Sequence, residues 1–159
     1  MAKAREVPGL GPDVAFREAA GRAVEVRAQE VFDHAEGVLD TQDIERVHDM
    51  RVATRRLRAV MEIFAPCFPK DRYKDLLREV KGLADTLGAR RDADVAIVEL
   101  EAIAAELPAV DRAGIESLVS HLRDHQRAAN QGLERALEEV ESAALRERLL
   151  ELAASPVAP

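Results

Sequence analysis

Apolar residues recur through most of the chain at steps of three and four, the spacing of an amphipathic helix, and no stretch reads convincingly as a strand. We therefore predict an all-α fold, an antiparallel bundle of about six helices joined by short connections. The expected helices span about 12–37, 42–64, 70–87, 92–107, 110–140 and 143–153. They form one domain over 12–154, between a flexible arm at 1–11 and a frayed tail at 155–159.

Proline, glycine and small polar residues mark the expected helix ends. Asp40 or Thr41 can cap the second helix, and the two prolines within 65–69 end it. Gly88 suits the C′ position after the third helix, and Asp92 suits the N-cap of the fourth. These signals predict a break between the third and fourth helices.

The helix expected over 42–64 separates apolar and basic residues onto opposite faces. At about 100° per residue, four basic positions fall within an arc of roughly 80°, and the apolar positions fall outside it. The basic positions are His48, Arg51, Arg55 and Arg58, with Arg56 flanking them. The apolar positions are Met50, Ala53, Leu57, Val60, Met61 and Phe64. The third helix repeats the scheme, with Lys74, Arg78 and Lys81 opposite its apolar face.

Two interpretations of the basic face stay open from spacing alone. Cations on the outer side of an amphipathic helix ordinarily form a solvated surface, interleaved with acids one turn away. Here only Glu62, one turn beyond Arg58, offers such compensation on that face. Arginine also suits phosphate oxygens, because its planar fork donates two parallel hydrogen bonds. The face is therefore either a solvated surface or an anion-binding site.

The charge distribution along the chain favours an anion-binding site. The net charge is −7, yet residues 46–91 hold twelve Lys/Arg against six Asp/Glu, while the rest hold eleven against twenty-four. Overall acidity argues against a general DNA-coating protein, and no specific DNA is expected as a partner. A basic segment inside an acidic chain indicates a confined anion site. No apolar run approaches the roughly 18 residues of a membrane-spanning helix, so we expect a soluble, cytoplasmic protein.

Two blocks resemble a known family. Residues 47–58 read Val-His-Asp-Met-Arg-Val-Ala-Thr-Arg-Arg-Leu-Arg, and residues 87–95 read Leu-Gly-Ala-Arg-Arg-Asp-Ala-Asp-Val. Both resemble the signatures of CHAD domains, histidine-containing α-helical domains that bind inorganic polyphosphate. The resemblance implies that the polyphosphate ligands are His48, Arg51, Arg55, Arg58, Lys81 and Arg91. It adds Arg56, Arg78 and Arg90 as further candidates.

The resemblance also bears on stoichiometry. Members of the family usually carry two helical bundles related by a pseudo-twofold axis, whereas this chain resembles the first bundle and its connecting helices, one half of such a domain. Two explanations stay open, a homodimer that rebuilds the cavity and a chain truncated relative to its family. The resemblance further suggests polyphosphate granules as a location, and a separate triphosphatase or granule proteins as partners.

Catalytic and metal sites are not expected. Glu45-x-x-His48 has the spacing of a di-iron ligand pair, but such sites need two copies of that motif. His121 and His125, one helical turn apart, fit a solvated face better than a metal site. No phosphate-binding P-loop is present, and no cofactor is expected. We predict binding without catalysis; the alternatives are a helical adaptor for RNA or an acidic protein, and an accessory module to a separate phosphate-processing enzyme.

Overall fold

Five α-helices and a short 3₁₀ turn account for the regular structure of the computed structural model, which describes residues 3–158. The helices are α1 (Phe16–Asp33), α2 (Ile44–Ile63), α3 (Lys70–Glu106), α4 (Ala109–Ser142) and α5 (Leu145–Ala154), and the 3₁₀ turn is Ala65–Cys67. The all-α prediction is confirmed, with five helices in the described range where about six were expected. Met1 and Ala2 of the expected arm, and Pro159 of the expected tail, lie outside the described residues.

The predicted break at Gly88 and Asp92 is wrong, because α3 runs through both residues without interruption. A glycine in a helix interior costs only about 1 kcal/mol relative to alanine. The buried stripe of α3 continues past it, from Leu87 through Ala93 to Ile97. Continued burial of this stripe outweighs the local preference of glycine. Asp92 is therefore an exposed residue of the helix rather than its N-cap.

The first helix is shorter than predicted at both ends. Pro12 and Asp13 form a turn, and α1 begins at Phe16. It ends at Asp33, and Gly37 lies in the connection with a φ of +70°, a left-handed conformation that glycine adopts without strain. Neither Asp40 nor Thr41 caps α2, because the helix begins at Ile44 and Asp43 occupies its N-cap position. Asp40 Oδ1 instead accepts a hydrogen bond from the backbone N–H of Gln42, 2.8 Å away, in the turn before the helix.

Helix α2 packs between α1 and α3, and α5 packs against α1, α3 and α4. One cluster of buried apolar residues draws on all five helices. The predicted core face of α2 is confirmed, since Met50, Ala53, Leu57 and Met61 are at most 1% exposed. Val60 and Phe64 are partly buried against the same cluster. The opposite side of α2 is thereby turned toward solvent.

Residues near both ends of the described range are attached to this core. Arg5 precedes α1, and its backbone carbonyl accepts a hydrogen bond from Arg27 Nη2 at 2.6 Å. Near the other end, the backbone N–H of Val157 donates to the carbonyl of Cys67 at 2.8 Å. Helices α1 and α5 approach so closely that a Cβ added to Gly21 would lie 2.5 Å from the carbonyl oxygen of Ala153. Glycine is required at this contact.

The α3–α4 hairpin extends beyond the core. Helix α3 alone has 37 residues, about 55 Å at the usual rise of an α-helix. The apolar residues exposed along the far part of this hairpin are Val98, Ile103, Val110 and Leu118. Within residues 3–158, no helix combines the length and apolar character that crossing a membrane requires.

Candidate anion-binding site

The register of α2 decides which of its cations reach the surface. Val47, Met50 and Leu57 are buried against the neighbouring helices, and Thr54 is buried with its hydroxyl donating to the carbonyl of Met50 at 2.8 Å. The cations lie on the other side of the helix. Toward the start of α2, His48 and Arg51 are half-buried; toward its end, Arg55 and Arg58 are exposed.

The two central arginines, Arg51 and Arg55, make no side-chain hydrogen bond or ion pair with any described residue. Many other arginines of the chain are paired with an acid, for example Arg72 with Glu151 and Arg148 with Glu79. Unpaired guanidinium groups side by side on one helix face create a local positive potential. They are available to a negatively charged ligand.

At the C-terminal end of α2, one carboxylate joins two helices. Glu62 Oε1 accepts from Arg58 Nε at 3.2 Å, and it lies 3.3 Å from Lys81 Nζ of α3. The hydrogen bond from Lys81, assisted by Arg58 and opposed by partial desolvation, lowers the pKa of the Glu62 carboxyl. This contact brings Lys81 beside the basic face.

At the N-terminal end of α2, Arg91 makes the corresponding contact from α3. Its Nη1 donates to the backbone carbonyl of Ile44 at 3.1 Å, and its Nη2 lies 3.4 Å from Glu45 Oε1. Helices α2 and α3 are therefore antiparallel along this surface. The structure brings the six candidate ligands together along α2 and α3, with Glu45 and Glu62 at the two ends of the group. We call this group the cationic surface; its members are His48, Arg51, Arg55, Arg58, Lys81 and Arg91.

The three additional candidates differ in position. Arg78 is an exposed residue of α3 and pairs with Asp75 at 2.9 Å, and Arg56 is half-buried on α2. Arg90 is completely buried, and its Nη1 donates to Asp94 Oδ2 at 2.8 Å. A buried guanidinium does not reach the surface on which the other cations lie. We therefore leave Arg90 out of the site.

The pair of Arg90 and Asp94 belongs to a polar cluster between α3 and α4. Asp94 Oδ1 also accepts from Gln126 Nε2 at 2.7 Å. Burial lowers the pKa of Arg90 and raises that of Asp94, because both charged forms lose solvation. Arg90 Nε and Nη2 have no hydrogen-bond partner among the described residues. This cluster is part of the interior and not of the surface site.

The sequence indicated Glu62 as compensation for Arg58, but its contact with Lys81 was missed, and Glu45 and Asp94 were missed as partners of cations. For two pairs a local signal existed, because Arg58 and Glu62, like Arg90 and Asp94, are four residues apart on one helix. For the contacts of Glu45 and Glu62 with α3 no local signal existed, since they depend on how α2 and α3 pack.

One cluster has residues suited to holding a metal ion. The side-chain ligand atoms of Glu45, His48 and Asp49 lie within 4.8 Å of one another. Glu45 also contacts Arg91, so a cation of the protein already lies next to this group. Exposed acids are common without a bound ion, and the absence of a metal from the site stays a prediction.

Comparison with known proteins identifies the family. The family model described as the CHAD domain matches residues 22–159, most of the chain and both sequence blocks. The chain therefore belongs to the CHAD domain family. A search of curated proteins gave no match.

Proposed function

We propose that this member of the CHAD domain family binds inorganic polyphosphate without catalysis, through the cationic surface of α2 and α3. The ligands we assign are His48, Arg51, Arg55, Arg58, Lys81 and Arg91. The observation that carries the proposal is that Arg51 and Arg55, at the centre of this surface, have no partner among the described residues. Polyphosphate carries about one charge per phosphate, so it can neutralise several such cations together.

Binding of this kind has two physical signatures. Each phosphate contact made by Lys or Arg releases counterions, so the affinity falls steeply as salt is added. Longer chains bind more tightly than short ones, because contacts after the first are intramolecular. Calorimetric titration of the 17.5 kDa chain with polyphosphates of several lengths, at two or more salt concentrations, tests both. An affinity independent of salt and of chain length would contradict the proposal.

A cationic surface can also attract RNA or an acidic protein, the adaptor function. Proteins that bind single-stranded nucleic acid usually stack its bases on aromatic side chains. Aromatic residues make up only 3% of this chain, and none of the six assigned ligands is Phe, Tyr or Trp. We expect polyphosphate to displace bound RNA far more readily than RNA displaces polyphosphate. The reverse order in a competition assay would favour the adaptor.

We further propose that the functional unit is a homodimer. The sequence block with His48 occurs once in this chain, whereas the family resemblance implies a cavity lined by two such bundles. A second copy related by a twofold axis would supply the other half. Gel filtration with light scattering should give twice the mass of 17.5 kDa. A monomer that retains tight polyphosphate binding would contradict the dimer.

The absence of catalysis and the location are proposals as well. We assign no turnover to the site, and we count Glu45 and Asp49, whose carboxylates lie within 4.8 Å of a His48 ring nitrogen, as neither catalytic groups nor ligands. Phosphate released from polyphosphate by the purified chain would overturn this assignment. We place the protein in the cytoplasm, with polyphosphate granules and a separate triphosphatase as candidate partners. Fluorescence microscopy of a tagged chain beside stained granules checks the location.

A further inference from the structure

We propose that Glu62 occupies a phosphate subsite formed by Arg58 and Lys81, and that a bound polyphosphate chain displaces it. This inference rests on the proposed function and assigns a role to a residue outside the ligand set. Glu62 then acts as an internal competitor, which disfavours ligands of low charge.

Two distances from one carboxylate oxygen define the subsite. A single oxygen, Glu62 Oε1, lies 3.2 Å from Arg58 Nε and 3.3 Å from Lys81 Nζ. A phosphate oxygen is an anionic acceptor of the same kind, and Arg and Lys bind it through the same N–H groups. The position of this oxygen is therefore where a phosphate oxygen contacts both helices at once.

The contact is weak enough to be exchanged. The side chains of Arg58, Glu62 and Lys81 are between 42% and 46% exposed, so water screens both ion pairs. Arg51 and Arg55, with no partner among residues 3–158, bind a ligand without giving up any contact. A polyphosphate chain held by these two arginines reaches the subsite at high effective concentration. An isolated phosphate lacks that advantage and competes poorly with Glu62.

A different role for Glu62 predicts the opposite result. If the carboxylate mainly holds Arg58 and Lys81 in the geometry that binds phosphate, its removal weakens binding. If it occupies the subsite, its removal strengthens binding, because two cations become available and one repelling charge is lost. The sign of the change in affinity separates the two roles.

The experiment compares Glu62→Gln with Glu138→Gln. Both variants lose one negative charge, but Glu138 is an exposed residue of α4, which carries none of the assigned ligands. Each is titrated with polyphosphate and with pyrophosphate. We expect Glu62→Gln to bind polyphosphate roughly three- to tenfold more tightly than the unmodified chain, with a salt dependence steeper by up to about one released counterion. The gain should be larger for pyrophosphate, and Glu138→Gln should change neither affinity by more than about twofold.

Glu62→Ala serves as the second variant and should show the same gain, because it leaves no amide oxygen in the subsite. Equal or weaker binding by both Glu62 variants would overturn the inference while polyphosphate binding by the unmodified chain upholds the proposed function. Equal gains in Glu62→Gln and Glu138→Gln would also overturn it, since they would reflect net charge alone. Absence of binding by every chain would overturn both proposals.

Discussion

The two sequence blocks that resemble the family behave differently in the structure. In block 47–58, four cations lie half-buried or exposed on one side of α2, opposite its core residues: His48, Arg51, Arg55 and Arg58. In block 87–95 the adjacent arginines separate, because Arg90 is buried with Asp94 while Arg91 contacts Ile44 and Glu45 at the surface. Neighbouring helix residues are about 100° apart. Helix register, and not residue type, therefore decides which arginine reaches the surface where a ligand binds.

The largest effect on stability is expected from breaking the buried ion pair of Arg90 and Asp94. Arg90→Met should lower the free energy of unfolding by about 3–5 kcal/mol, because Asp94 is left buried without a counter-charge. Urea denaturation measures the change. The double variant Arg90→Met/Asp94→Leu should recover most of the loss, since no charge then remains buried at the site. A loss below about 1 kcal/mol in the single variant, the value of an exposed ion pair, would contradict the burial of this pair.

A smaller effect on stability is expected from a substitution at Gly88, in block 87–95. Gly88 lies inside α3, and a Cβ added there has no non-local atom within 4 Å. Gly88→Ala should therefore raise the free energy of unfolding by about 0.4–1 kcal/mol, because alanine favours the helix and restricts the unfolded chain. Thermal and urea denaturation measure the change. Destabilisation would instead place Gly88 at a helix end with positive φ.

The smallest effect concerns the ion pairs of Glu62. Because Lys81 and Arg58 lower the pKa of this carboxyl from its ordinary value of 4.5, its charged form stabilises the fold above that pH. The contribution is lost as the pH falls through the lowered pKa. At pH near 7 (where the carboxylate is charged), Glu62→Gln should cost at most about 0.5 kcal/mol, since the pairs are exposed. Urea denaturation should show this difference shrinking as the pH is lowered through the pKa of the carboxyl, and a difference that grows as the pH falls would contradict this account.

The fold class and the two faces of α2 could be predicted because they follow from local spacing. Met50, Leu57 and Met61 repeat at helical intervals, and no strand-like pattern competes with them. The continuity of α3 could not be predicted, because a local glycine signal at Gly88 is outweighed by burial that depends on packing against other helices. The ends of helices are the part of a prediction that tertiary contacts change most readily.

The residues of the candidate site were likewise only partly predictable from local spacing. Arg51, Arg55 and Arg58 follow from the spacing on α2, whereas Lys81 and Arg91 came from the family resemblance. The position of Arg90 depends on the packing of α4, whose Gln126 donates to the same carboxylate that pairs with this arginine. No local pattern reveals such a contact between residues 32 positions apart.

The central claim is that the unpaired arginines of α2 form the binding surface. Its most direct test compares Arg51→Ala/Arg55→Ala with Arg17→Ala/Arg135→Ala, a control pair of exposed arginines on α1 and α4. Both double variants lose two positive charges. We predict that Arg51→Ala/Arg55→Ala binds polyphosphate at least about tenfold more weakly, with a salt dependence reduced by about two counterions and an unchanged circular dichroism spectrum. The control should stay within about twofold. Equal affinities of the two double variants would contradict the claim.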